Sequence, residues 1–127
     1  MKLLDTCFLI DLQRELKAER TGAAVAYLKA HSEERFAISV VGVTEFLEGF
    51  PDPEEGEKQL RAFHWLNLDG KTAKNAAIIR RQLRLEGRLI EDFDILIAAT
   101  ALAENLPLVT NNIEHFERVH GLIVERY

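Results

Sequence analysis

The residues of this 127-residue chain that could do chemistry are acids and amides placed at the ends of apolar segments. Asp94 opens the block Ile95-Leu96-Ile97-Ala98-Ala99, which is apolar on every side. A helix without a polar face belongs in the interior of a domain, so its first-turn acid points wherever that helix begins. The same stretch, Glu91 to Asn112, ends in the strand-like run Leu106–Val109, followed by Thr110-Asn111-Asn112. Asp5 closes another short apolar run, and Glu45 lies on the less apolar side of a helical segment. Each has an ordinary account: a turn-former or cap for Asp5, a dipole-satisfying acid for Asp94, a solvated side chain for Glu45, turn amides for Asn111 and Asn112. Together they are three acids and an amide at places one fold can bring together, and carboxylates that converge make a metal site.

The elements that must position them follow from periodicity. Met1–Leu4 reads as a buried strand with Asp5 at its tip, and a helix then runs from Phe8 to near Arg20, broken by Thr21-Gly22. Ala23–Ala30 is a second helix and Phe36–Val40 an inner strand. From Val41 the period becomes helical, with Val43, Phe46, Leu47 and Phe50 on one face and Thr44, Glu45 and Glu48 away from it. The segment PDPEEGE is expected to be a loop, Glu57–Phe63 a short helix, and Trp65–Leu68 a third strand. Asp69 caps a long helix, Lys71–Glu86, with Ala73, Ala77, Ile78 and Leu85 among its apolar positions, and Gly87 stops it. Asp92 is the expected N-cap of the central helix, and Asn105 with Pro107 its stop. Ile113–Arg118 makes a helical turn and Leu122–Val124 a fifth strand. Short apolar strands alternating with helices imply an α/β fold, a central, mainly parallel sheet of about five strands covered on both faces. In such sheets ligands gather beyond the carboxyl ends of the strands, where Asp5 and Asn112 would both lie.

Bulk properties narrow the class. The length predicts one domain over residues 1–127. A hydrophobic content of 47% and a charged content of 29% are those of an ordinary globular protein. With one cysteine no internal disulfide forms, which suits a reducing compartment. Asp5 interrupts the apolar start too early for a signal peptide, and no apolar run approaches the roughly 20 residues of a membrane span. The chain is therefore expected in the cytoplasm. The net charge of −5 argues only mildly against nucleic-acid binding, since acids gathered around a metal add to the deficit without facing substrate as bare charge.

Four segments carry a resemblance over nearly the whole chain: LLDTCFLIDL at Leu3–Leu12, ISVVGVTEFLEG at Ile38–Gly49, DILIAATALAENLPLVTNN at Asp94–Asn112 and HFERVHGL at His115–Leu122. In order and spacing the sequence resembles a PIN domain, a three-layer fold, and within that family the toxin ribonucleases of VapBC toxin–antitoxin modules. The resemblance implies that Asp5, Glu45 and Asp94 are the first three family acids and that Asn112 stands at the fourth position, commonly aspartate. It further implies an endoribonuclease dependent on Mg²⁺ or Mn²⁺, a homodimer, and a cognate antitoxin that covers or disorganises the acidic site. The residue types suit the chemistry, because hard divalent ions take oxygen ligands and activate water for phosphodiester hydrolysis. Asp5 and Asp94 are expected as direct ligands, and Glu45 as a ligand, a water-mediated ligand or a base. Asn112 brings an amide oxygen and no charge, with Asp92 and Glu114 as nearby acids.

Thr110 is expected to orient a ligand or touch phosphate. Arg80, Arg81, Arg84 and Arg88 form a basic run that either grips RNA backbone or is a solvated helix face. The four histidines lack zinc spacing and are read as surface or packing residues, and Cys7 as a structural thiol. The rival reading is a PIN fold with weakened catalysis that binds RNA or protein, for which Asn112 is the hint. A receiver-type phosphoacceptor is disfavoured by the LIAATA and TNN segments.

Overall fold

Alternation along three short strands sets the layers of the structure, a computed structural model describing residues 1–127. Leu3 of β1 (Lys2–Leu4) is in register with Ala37 of β2 (Phe36–Ser39) and with Leu108 of β4 (Leu108–Val109), and all three enter one core. The next residue on each strand, Leu4, Ile38 and Val109, enters a second core on the opposite face. Successive strand side chains point to opposite sides, so a sheet apolar at every position must be covered twice. With β3 (His64–Leu66) and β5 (Val124–Glu125) the five strands form one parallel sheet in the order β3-β2-β1-β4-β5.

The first core takes Ala76, Ile79 and Leu83 from α5 (Gly70–Leu85), Ile95 and Ile97–Ala99 from α6 (Asp92–Ala103), and Phe116 from α7 (Ile113–Phe116). The second takes Phe8 and Leu9 from α1 (Thr6–Lys17), Ala24 and Tyr27 from α2 (Ala23–Ala30), Val43 and Phe46 from α3 (Val40–Leu47), and Leu60 from α4 (Pro53–Leu60). None of the helices is long and apolar enough to cross a membrane. The chain winds outward through β1, β2 and β3, then returns to lay β4 on the other side of β1. The winding reverses between β1 and β4, and the crevice past their carboxyl ends is where such sheets bind ligands.

The sheet, the central helix and the α/β order agree with the sequence reading. Several boundaries and faces differ for physical reasons. PDPEEGE is not a loop: Asp52 accepts from Glu54 N at 3.1 Å and Pro53 occupies the first helical position, so α4 starts there and ends at Leu60. Gly56 lets α4 pack closely, because a Cβ there would sit 2.7 Å from side-chain carbons of Leu47 and Phe50 and displace them. α5 buries Thr72, Ala76, Ile79 and Leu83, while Ala73 and Ala77 are exposed and Ile78 and Leu85 stand 64% and 71% exposed. Both sets have helical spacing, and docking against α6 selects the first. α1 ends at Lys17, with Glu19 left-handed at φ 52° and Arg20 N bonded to Glu15 O. The third strand lies at His64–Leu66, earlier than Trp65–Leu68, and the fifth at Val124–Glu125, later than Leu122–Val124. Asn105 and Gly87 end their helices as expected, at φ 54° and 66°, with Leu106 N reaching Ala101 O and Arg88 N reaching Leu83 O.

A buried acid anchors the far side of α1. Glu15, 3% exposed, accepts from Ala24 N at 3.2 Å and Val25 N at 3.1 Å, supplying the acceptor that the N-cap Gly22 lacks. Glu15→Ala leaves two α2 donors without partners, a cost of about 1–3 kcal/mol. The variant should melt roughly 3–10 °C below the parent, with faster hydrogen exchange at the start of α2. An unchanged melting temperature would show that water replaces the carboxylate without loss.

Candidate active site

Asp5 leaves β1 and caps α1, its Oδ1 accepting from Thr6 N at 2.8 Å. Its Oδ2 accepts from the Thr110 hydroxyl at 2.8 Å and the Cys7 thiol at 3.1 Å. Thr110 follows β4, so the hydroxyl bond spans the crevice where the winding reverses. These donors satisfy a carboxylate that is only 4% exposed and fix its rotamer. Thr6 extends the arrangement: its hydroxyl donates to Glu45 Oε1 at 2.7 Å, tying α3 to the start of α1.

Asp94 enters from the first turn of α6, with Oδ2 3.8 Å from His115 Nδ1. Burial, and then the charges of Asp5, Glu45 and Glu91, push its pKa up to about 6, with His115 opposing. Glu45 is likewise raised, first by burial and then by Asp5, Glu91 and Glu48, against the lowering effect of the Thr6 hydrogen bond. Asn112 completes the rim from the other side of β4. Its backbone N donates to Thr110 Oγ1 at 2.9 Å and its Nδ2 lies 2.9 Å from His115 Nδ1.

Asp5, Glu45, Asp94 and Asn112 are therefore brought to one end of the sheet. The donors are hard oxygens, neither Lys nor Arg is paired with any of the three acids, and the carboxylates repel one another. Donor type and electrostatics fit a hard divalent cation. The side chains are not drawn into a closed sphere, since no three His, Cys, Asp or Glu groups already surround one point.

Other expected residues fall differently. Asp92 is not the N-cap of α6. Glu91 holds that position, without a side-chain capping bond, and Asp92 begins the helix and pairs with Arg80 at 2.9 Å. Thr110, fully buried, orients Asp5 and has no surface to offer phosphate. Arg80 and Arg84 are exposed one turn apart on α5. Glu114 is solvent-facing, 3.8 Å from Arg118. The sequence reading missed Thr6, Glu91 and His115. Their contacts join distant segments, and the signal available for His115 was its place three residues after Asn112, on the same side of one helical turn.

The family profile of the PIN domain matches residues 2–122. The chain belongs to the PIN-domain family. Ribonuclease VapC1 of Methanocaldococcus jannaschii is 34% identical over 121 residues, covering 92% of this chain and 79% of that protein. The tRNA(fMet)-specific endonuclease VapC of Shigella flexneri is 33% identical over 98 residues, covering 72% and 74%. Among solved structures, VapBC2 from Rickettsia felis, bound to a DNA fragment from its promoter, matches with a TM-score of 0.83 at 25% identity over 99% of this chain and 98% of that one. The protein is thus a PIN-domain nuclease, with Asp5, Glu45 and Asp94 near the crevice of its sheet.

Burial and repulsion together have a measurable consequence in metal-free protein. The folded Asp94 carboxyl binds its proton more tightly than the unfolded one, so its contribution to stability is lost as pH rises from about 3.8 through about 6. Asp94→Asn should be more stable than the parent at pH 7, by on the order of 1–3 kcal/mol, and should lose that advantage near pH 4. Chelator-treated melting curves across this window check it; a variant less stable than the parent at pH 7 would mean that the carboxylate is a structural partner.

Proposed function

We propose that this protein is a Mg²⁺- or Mn²⁺-dependent endoribonuclease, and the toxin of a toxin–antitoxin pair acting in the cytoplasm. The observation that carries the reading is the set of mutually repelling carboxylates, Asp5, Glu45 and Asp94, at the crevice between β1 and β4. The ribonuclease and endonuclease names of its relatives support RNA as substrate. The toxin–antitoxin complex from Klebsiella pneumoniae among its structural neighbours supports a protein partner.

Asp5 and Asp94 would hold the cation, Glu45 would hold it directly or through water, and the Asn112 amide oxygen would be a fourth, uncharged donor. A cation held there shields the phosphodiester and lowers the pKa of water. The chain's own contributions are positional. Thr110, Thr6 and Cys7 keep Asp5 and Glu45 in place, which limits the reorganisation the reaction requires. Glu45, with its raised pKa, is suited to take a proton from the attacking water. Arg80 and Arg84 are the proposed phosphate contacts, since the exposed Arg80–Asp92 pair is cheaply exchanged for a phosphate oxygen. We propose one nuclease domain over the whole chain and a homodimer, in which a second copy would cover exposed Ile78, Leu85, Leu89 and Phe93.

The missing charge at Asn112 favours a second reading, a PIN fold that binds RNA or protein without cutting efficiently. Cleavage assays on structured RNA separate the two. Purified, antitoxin-free protein should cut with Mg²⁺ or Mn²⁺ and stop in EDTA. Asp94→Asn should lose roughly 100-fold or more, while Asp92→Asn keeps near-parental activity. Full cleavage in EDTA would overturn the mechanism, and equal losses in both well-folded variants would overturn the residue assignment. RNA binding without cleavage under every metal condition would favour the second reading.

A further inference from the structure

We infer that Tyr127 is a positioning residue of this site: its hydroxyl, anchored on Asp11, backs the Cys7 thiol and keeps that thiol against Oδ2 of Asp5. The inference rests on the metal-dependent reading above. Asp5 has three donors, and they are not held equally. Thr6 N is fixed by the backbone and Thr110 is fully buried, whereas Cys7 is only partly buried. A thiol is also a weak donor, so its own bond to the carboxylate does little to hold it in place. That task falls to a neighbour.

Strand alternation brings Tyr127 to the thiol. Glu125 of β5 accepts from Tyr27 and Lys2, and Tyr127, two residues on, packs against the core that contains Tyr27. Its ring meets Phe8 edge-on, with centroids 4.6 Å apart. Its hydroxyl donates to Asp11 Oδ2 at 2.7 Å, and the hydroxyl oxygen lies 3.6 Å from Cys7 Sγ. Cys7 and Asp11 are one turn apart on α1, so a single hydroxyl reaches both. The thiol is therefore flanked by two hydroxyls, that of Tyr127 and that of Thr110 at 3.5 Å, and its remaining polar neighbour is Asp5 Oδ2 at 3.1 Å. The backbone N of Tyr127 donates to Asn111 Oδ1 at 3.2 Å, in the turn between Thr110 and Asn112. Tyr127 thus ties α1, on the β1 side of the crevice, to the turn that follows β4. Ring packing against Phe8 would need none of these polar contacts.

The test is Mn²⁺ affinity measured by calorimetry, independent of cleavage, with thermal melts alongside. Tyr127→Phe keeps the ring and deletes the hydroxyl, and it should weaken Mn²⁺ binding about 10-fold, the low end for losing a partner that orients a ligand. Asp11→Ala removes the anchor from the other side and should give a similar loss. The double variant should be weaker than either single one by less than about 2-fold. In a Cys7→Ala background, Tyr127→Phe should change affinity less than about 3-fold, because no thiol remains to be backed. Unchanged affinity in Tyr127→Phe, whatever its melting temperature, would make the residue a packing element and overturn the inference. Equal losses with and without Cys7 would overturn it as well. If Cys7→Ala binds no Mn²⁺, the Asp11 cycle decides, and additive losses there overturn the inference. Each of these results leaves the metal site standing. A parent protein that binds no Mn²⁺ would overturn the metal-dependent reading and this inference together.

Discussion

The hydrogen bond from the Thr110 hydroxyl to Asp5 Oδ2, 2.8 Å long and fully buried, joins the two halves of the molecule at the point where its winding reverses. On one side Asp5 ends β1 and caps α1; on the other Thr110 ends β4 and accepts from the Asn112 backbone. One carboxylate therefore closes a helix end, spans the crevice and offers its charge to whatever binds there. The ordinary reading of Asp5 as a helix cap and the functional one are compatible, because the capping bond uses Oδ1 and the bond across the crevice uses Oδ2. Thr6 carries the same logic to Glu45, with its backbone on one acid and its hydroxyl on the next.

Fixing acids this way has an energetic cost that the rest of the fold offsets. Asp94 is held half-buried near Asp5, Glu45 and Glu91, and its pKa of about 6 records first that burial and then the repulsion. The two cores, one on each face of the sheet, hold α6 in place despite that repulsion. Ile95, Ile97, Ala98 and Ala99 are buried at 2% exposure or less, directly behind the acid. A helix apolar all round cannot retreat to the surface to relieve its first turn. Sites that bind charge are commonly destabilising in isolation, and the offset lies in the packing that positions them.

Much of this was legible in the sequence, and the exceptions share a cause. The central helix, the strand tips, Asp5 and Asp94 followed from local patterns: an unbroken apolar block, short apolar runs, acids at their ends; Glu45, inside α3, was singled out only by the resemblance to the PIN family. The buried face of α5 did not, because Ala73/Ala77 and Ala76/Ile79/Leu83 have equally good helical spacing and only α6 distinguishes them. The N-cap of α6 was misplaced by one residue, since Glu91 and Asp92 are adjacent acids and the side chain of Asp92 is drawn to Arg80 instead. Thr6 to Glu45 and Thr110 to Asp5 join residues 39 and 105 apart, and no periodicity encodes such pairs. The start of α4 was the exception, a local signal passed over: Asp52-Pro53 is a capping residue followed by proline at the first helical position.

The central claim is that Asp5, Glu45 and Asp94 act as one cation-seeking group at the crevice between β1 and β4. Anomalous diffraction from crystals grown with Mn²⁺ tests it most directly, because it locates the ion without reference to substrate or activity. The account predicts a manganese peak bounded by the carboxylates of Asp5 and Asp94, absent from Asp94→Asn crystals prepared in the same way. A peak elsewhere on the molecule, or none at saturating Mn²⁺ in the parent, would contradict it.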